Sequence, residues 1–182
     1  MRPLRHLRVS ALCLAGLLFF GPLSSVAQNV SDYQVKAAYL YNFTKFVRWP
    51  VHGFSGPAAP IQLCVLNDPL FQAELNRIAK GKTVAGRPVT VLAVQDAEES
   101  RSCHILFINS LQGTHARRIL DALRQSSVLT VGESAGFTKE GGIINFLIQE
   151  DHVQFEVNHR AANEVGLQIS SRLLSVAKLV IE

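Results

Sequence analysis

The chain has 182 residues, of which 48% are hydrophobic and 18% charged. That is one domain's length with enough apolar residues to bury a core, so a disordered chain is excluded. Lys and Arg number 18 against 14 Asp and Glu, but with Arg2, Arg5 and Arg8 set aside the basic count falls from 18 to 15, which excludes the charge footprint of a nucleic-acid binder.

The three N-terminal arginines precede an apolar run over residues 9–20, which Gly21-Pro22 breaks before Ser25-Val26-Ala27. A charged start, a short apolar stretch and a small-residue exit form the secretory pattern. The run is shorter than the roughly 20 residues of a membrane span. The sequence therefore predicts a signal peptide over 1–27 and one mature domain over 28–182. Cys13 lies inside the apolar run after Leu12, the wrong context for a lipidated cysteine. Cys64 and Cys103 then remain. An even count in an exported chain favours a disulfide, with two buried thiols as the alternative.

Ser31 and Gln34 make a capping box ahead of Val35, Tyr39, Phe43 and Phe46, so residues 32–48 read as an amphipathic helix that Trp49-Pro50 terminates. Lys36, Lys45 and Arg48 fall off its stripe. Tyr41 and Trp49 also fall off it, and stand either as exposed anchors for a partner or as packing under the Gly- and Pro-containing loop at 51–60. Residues 61–66 are an apolar strand, and Asp68-Pro69 starts a helix that Gly81 stops. Strands follow over 89–94 and 103–109, the latter with a continuous apolar run that predicts cover on both faces. A helix over 111–124 turns Ile119, Leu120 and Leu123 inward and leaves Arg117, Arg118 and Arg124 in solvent. Residues 128–131 form another buried strand. After a loop at 132–136 and Phe137, a strand from Gly141-Gly142 to Ile148 turns at 149–151 into residues 152–158. There Val153, Phe155 and Val157 alternate with His152, Gln154, Glu156 and Asn158, which predicts a face open to water or a partner. The tail over 161–180 reads as mostly helical, with Gly166 as an interruption and Leu173, Leu174, Ala177 and Val180 inward. The fold class is thus α/β: a mainly parallel sheet flanked by helices, with an antiparallel C-terminal hairpin at its edge. If the first and third strands are neighbours, Cys64 and Cys103 come within bridging range.

Reactive chemistry finds little footing. His52, His104, His115, His152 and His159 show no i,i+4 pair and no H-E-x-x-H, so no metal site is predicted. Gly132-Glu133-Ser134-Ala135-Gly136 is not a nucleophile elbow, and no glycine cradle for phosphate occurs. No catalytic residue and no cofactor is assigned. An unrecognised hydrolase would need a Ser or His dyad within hydrogen-bond reach.

Several blocks together resemble one family: Lys36-Ala37-Ala38-Tyr39-Leu40-Tyr41-Asn42-Phe43, Trp49-Pro50, Gly86-Arg87-Pro88, Cys103-His104-Ile105-Leu106-Phe107-Ile108, Val128-Leu129-Thr130-Val131, Gly141-Gly142-Ile143-Ile144-Asn145-Phe146, Phe155-Glu156-Val157-Asn158 and Gly166-Leu167-Gln168-Ile169-Ser170-Ser171-Arg172-Leu173-Leu174. Over about residues 33–180 the chain is similar to the YfiR family of bacterial periplasmic proteins (DUF4154). The resemblance implies a non-enzymatic periplasmic repressor. It would bind the periplasmic sensor domain of an inner-membrane diguanylate cyclase, lower cyclic di-GMP and restrain biofilm formation. It would be sequestered by an outer-membrane, peptidoglycan-associated lipoprotein and be able to form a homodimer. It further implies a redox-linked disulfide at Cys64 and Cys103. The second cysteine pair of some members would fall near Thr138 and Asn145, where this chain has none. Trp49, Phe137, Asn145, Glu156, Asn158 and Arg172 are the expected partner or ligand surface, with an Arg172–Glu156 pair as one possibility and capping by Asn158 as another. A periplasmic small-molecule-binding protein is the alternative reading, which a convergent polar pocket near Phe137 and Asn145 would favour.

Overall fold

The computed structural model describes residues 24–150 and 152–182. The expected signal peptide, residues 1–27, lies outside them apart from 24–27. The first helix, α1 (Ser24–Phe46), begins ahead of the Ser31 capping box and ends at β1 (Val47–Arg48), just before Trp49-Pro50. Its buried face is rotated from the expected stripe. Lys36, Ala37, Leu40, Phe43 and Thr44 are buried, whereas Val35 is 40% exposed.

The predicted apolar run forms β2 (Ile61–Leu66), buried everywhere but at Gln62. Asp68 caps α2 (Pro69–Ala79) by accepting the Phe71 amide, with proline in the first turn as its fixed φ favours. A tight hairpin then appears that the hydrophobic pattern left unassigned: β3 (Thr83–Val84) turns into β4 (Arg87–Val94). Ala85 and Gly86 both have positive φ, 50° and 78°, the geometry a two-residue hairpin turn demands. After α3 (Ala97–Ser100), capped by Asp96, come β5 (Ile105–Ile108), α4 (Gly113–Leu123) and β6 (Leu129–Gly132). Ile119, Leu120 and Leu123 of α4 face inward as expected. The hairpin is β7 (Ile144–Gln149) and β8 (His152–Asn158).

The tail departs from expectation. In place of one long helix it forms α5 (His159–Glu164), β9 (Gln168–Ile169), α6 (Ser171–Leu174) and β10 (Leu179–Ile181). Gly166 breaks it at φ 75°. Leu173 is buried, but Leu174, Ala177 and Val180 are only half-buried.

The main sheet has the order β10-β8-β7-β6-β5-β2-β4-β3. Strands β4, β2, β5, β6 and β7 run parallel, and β8 is antiparallel to β7. The predicted α/β class therefore holds. The hairpin lies one strand in from the edge, because β10 adds outside β8. A second small sheet pairs β1 with β9. From β2 the chain steps to β4 on one side and then to β5, β6 and β7 on the other. This is a doubly wound order whose switch point lies between β2 and β5. One face of the sheet packs α1 and α2 through Leu40, Phe43, Phe71 and Leu75. The other packs α4 through Ile119, Leu120 and Leu123, together with Cys64 and Cys103.

Candidate functional site

Cys64 sits in the middle of β2, and Cys103 lies just before β5, the neighbouring strand. Leu63 pairs with Ile105, which brings the two cysteines together as a disulfide with Cα atoms 5.9 Å apart. Both are buried, against Leu66, Val94, Leu106 and Leu120. The bridge fastens the end of α3 to the central strand, since the Cys103 amide also bonds to the Ser100 carbonyl.

The next residue, His104, is turned into a separate pocket between Trp49 and Phe54, with ring centroids 5.7 and 4.4 Å away. Its Nδ1 accepts the Gln62 amide, and its carbonyl accepts Trp49 Nε1 at 3.0 Å. Nδ1 as acceptor assigns the neutral tautomer with the proton on Nε2. Burial, and then the charge of Arg87, push its pKa down to about 4 against a smaller opposing pull from the Gly53 backbone. Arg87 is itself held by the Gly56 and Ala59 carbonyls and lies on the Phe54 ring. Trp49 is therefore half-buried and bonded, not a free anchor.

A second cluster occupies the carboxyl ends of β2, β5 and β6, beside the switch point. Asp68 Oδ2 accepts from Tyr33 at 3.1 Å and from Asn109 at 3.0 Å, while Oδ1 caps α2. Lys36 meets Glu133 at 2.6 Å, and Glu133 also accepts the Ser110 amide. Burial, followed by Asp68, raises the Tyr33 pKa to about 12. Doubly wound proteins commonly keep a ligand crevice at this place. Here α1 lies over it and its polar groups answer one another. The sequence pattern marks Asp68 only as a cap and puts Lys36 off the apolar stripe. The signal available was a lysine beside the apolar face of a helix and an acid shortly after a strand.

The third cluster lies on the predicted polar face of β8. Glu156 Oε1 accepts from Thr138 Oγ1 at 2.7 Å and from Asn145 Nδ2 at 3.3 Å. Asn158 caps α5 through Ala161 and donates to the Thr138 carbonyl. Phe137 is 1% exposed and wedged between Gly132 and Gly142, where a Cβ on either glycine would overlap its ring. The loop after β6 thus folds back over the Glu156–Asn158 end of the face expected to be open, while His152 at the turn stays exposed. Thr138 and Asn145, the positions the resemblance marks for a second cysteine pair, are joined through the Glu156 carboxylate. Arg172 is exposed on α6 and has no ion pair among the described residues, and Glu156 is occupied elsewhere. Of the six expected surface residues only Arg172 is exposed; Phe137, Asn145 and Asn158 are buried, and Trp49 and Glu156 are half-buried. They do not make one surface.

These features define a doubly wound α/β domain, stapled at its central strands, whose buried polar groups are spent on holding its own loops. A profile of the YfiR/HmsC-like family (DUF4154) matches residues 33–178, and the chain belongs to that family. No curated protein matches the chain. Among solved structures it is similar to a conserved domain protein from Vibrio cholerae O1 biovar El Tor str. N16961, at 10% identity and a TM-score of 0.54. That match covers 81% of this chain and 60% of the other, so the chain spans about three fifths of that protein's length. It shows the fold alone. An ABC domain in complex with L-Trp from Streptococcus pneumonia gives a TM-score of 0.46 at 14% identity, covering 66% of this chain and 55% of the other. The family is a periplasmic, regulatory one. Membership supports a periplasmic regulator role in general, and the Cys64–Cys103 bridge agrees with an oxidising compartment. Among the described residues no helix is long and apolar enough to cross a membrane.

Proposed function

We propose that this chain is a non-enzymatic repressor that binds the periplasmic sensor domain of an inner-membrane diguanylate cyclase and holds it inactive. An outer-membrane, peptidoglycan-associated lipoprotein would relieve it by sequestration. The observation that carries this reading is the family match across residues 33–178. The disulfide supports its redox side. The bridge ties the end of α3 and the chain just before β5 to the central strand β2, so reduction frees that segment while the sheet stays paired. The test is binding of the oxidised protein to the cyclase's periplasmic domain, with cyclic di-GMP output measured in parallel. Binding that lowers output and is weakened by a reductant supports the reading. An oxidised, folded protein that neither binds that domain nor changes output overturns it.

One observation favours the second reading, a small-molecule-binding protein. Beside Thr138 and Asn158 lies an open depression of about 530 Å³ rimmed by Arg117, Arg124, Lys139 and Arg160. Glu140 and Glu164 share the lining, with Glu164 beside Arg160, so the four basic side chains outnumber the acidic ones and leave an excess that suits an anionic ligand. Saturable binding of a carboxylate or phosphate compound, lost on Arg117→Glu, would support that reading; equal binding by the variant would not.

A further inference from the structure

Residues 51–60 cover His104 without being built into the fold around it. None of them is buried. Their backbone bonds are local, from Gly53 to Pro50, Phe54 to Val51 and Ala59 to Gly56. Two side chains hold the segment down. Phe54 lies on the His104 ring at 4.4 Å, and Arg87 of β4 donates to the Gly56 and Ala59 carbonyls while stacking on Phe54.

The ring beneath is built for one protonation state. Its Nδ1 accepts the Gln62 amide at 3.1 Å, and a backbone N–H cannot exchange roles with it. Nε2 therefore carries the proton, and it is buried with no hydrogen-bond partner. A second proton, on Nδ1, would set N–H against N–H and leave an imidazolium with neither donor satisfied. Trp49, Phe54, Gln62 and Arg87 face the ring from the segments packed on it, and the one charge among them, on Arg87, is of the wrong sign. The His104 backbone cannot yield, because its amide donates to the Gln62 carbonyl and its own carbonyl accepts from Leu129 and Trp49. The cover can.

We propose that residues 51–60 are a flap, latched by Phe54 on the neutral His104 ring, and that protonation of His104 releases the flap while the sheet stays paired. With the flap closed the ring titrates at about 4, against 6.5 for a free histidine. Closure is thus complete above about pH 6.5 and weakens as pH falls toward 4. Below that the equilibrium has moved toward the open form by about 300-fold, tenfold for each pKa unit of difference. The disulfide lies in the cluster on the opposite face of the sheet, and the device is independent of the repressor reading.

The test uses Trp49, the chain's single tryptophan, which lies against the latch. Acrylamide quenching of its emission reports opening, and far-UV circular dichroism of the same oxidised protein reports the sheet. The quenching constant is expected to rise reversibly with a midpoint between pH 4 and 6.5, ahead of any loss of ellipticity. His104→Phe keeps a ring under Phe54 and cannot be protonated, so its quenching is expected to stay low and flat. Phe54→Ala removes the latch and is expected to be quenched at pH 7 as the native protein is in acid; it decides the matter should His104→Phe fail to fold. His52→Gln removes the flap's own exposed histidine and is expected to titrate as the native protein does. Quenching that stays flat in acid, that rises only as ellipticity is lost, or that rises equally in folded His104→Phe overturns the proposal. So does a Phe54→Ala protein quenched no more than the native one at pH 7.

Discussion

Breaking the Cys64–Cys103 bridge is expected to cost about 4 kcal/mol of stability. The two residues are 39 apart in sequence. In the chain-entropy account, opening a loop of that length returns about 4 kcal/mol to the unfolded chain. The native side adds little, because Cys64 and Cys103 are 0% and 4% exposed in an apolar cluster that alanine still fills in part. For a domain of this size the change corresponds to a fall in Tm of about 10 °C. Urea denaturation of Cys64→Ala/Cys103→Ala, beside the native protein with and without a thiol reductant, measures it. Reduced native protein and the double variant are expected to coincide. A loss below about 1 kcal/mol would refute the loop argument.

The same perturbation has a local signature. Pairing between β2 and β5 runs from Leu63–Ile105 to Leu66–Ile108 and survives reduction. What the bridge adds is a tie to β2 for the end of α3 and the chain up to Cys103, which otherwise hold through packing on α4. Hydrogen exchange is therefore expected to quicken over residues 96–104 before it changes in β2. Uniform quickening across the sheet would mean that the bridge supports global stability only.

Acid is expected to destabilise the fold through His104. Its folded pKa of about 4 lies below the unfolded value near 6.5, so the unfolded chain binds the extra proton between those limits. Stability is complete above about pH 6.5, falls as pH drops toward 4 and is flat below; the ceiling is about 3 kcal/mol, and His104→Phe should flatten that limb of a pH–denaturation series. Lys36→Met strands Glu133, whose side chain is only 14% exposed. It is expected to cost about 3 kcal/mol in chemical denaturation, with Lys36→Met/Glu133→Leu recovering most of it. Gly142→Ala places a methyl group into the Phe137 ring and against its carbonyl. A loss of about 2 kcal/mol is expected, and adding Phe137→Ala should recover only the ring's share of it, because the clash with the residue 137 carbonyl remains, as a double-mutant cycle would show.

Where an element carries its own punctuation, the sequence reads it well. Asp68-Pro69 announces α2 by a cap and a fixed φ, and both act as written. The run at 61–66 is apolar because β2 is covered on both faces. The tail lacks such marks. Its leucines and valines fall near helical spacing, yet they are divided among elements too short to show a period, and its two strands are held by strands earlier in the chain. β9 is fixed by β1, and β10 by β8. α1 fails the same way in one detail. Lys36 belongs on the polar side by its own helix, and only Glu133, 97 residues away, makes its burial affordable in free energy.

The hairpin shows how far alternation carries and where it stops. Glu156 and Asn158 do share a face opposite Phe155 and Val157, as period two requires. Whether that face is wet depends on a different segment. Gly132 and Gly142 leave room for Phe137 to sink to the sheet, which carries Thr138 over β8, where it bonds Glu156 and Asn158. Glycines flanking an aromatic residue were the trace of this in the sequence, but they mark close approach without saying to what. Glu156→Lys is consequently a poor probe of partner binding, since it cuts the loop's tie before it touches any partner. Arg172, exposed and without an ion pair among the described residues, is where a substitution separates binding from folding.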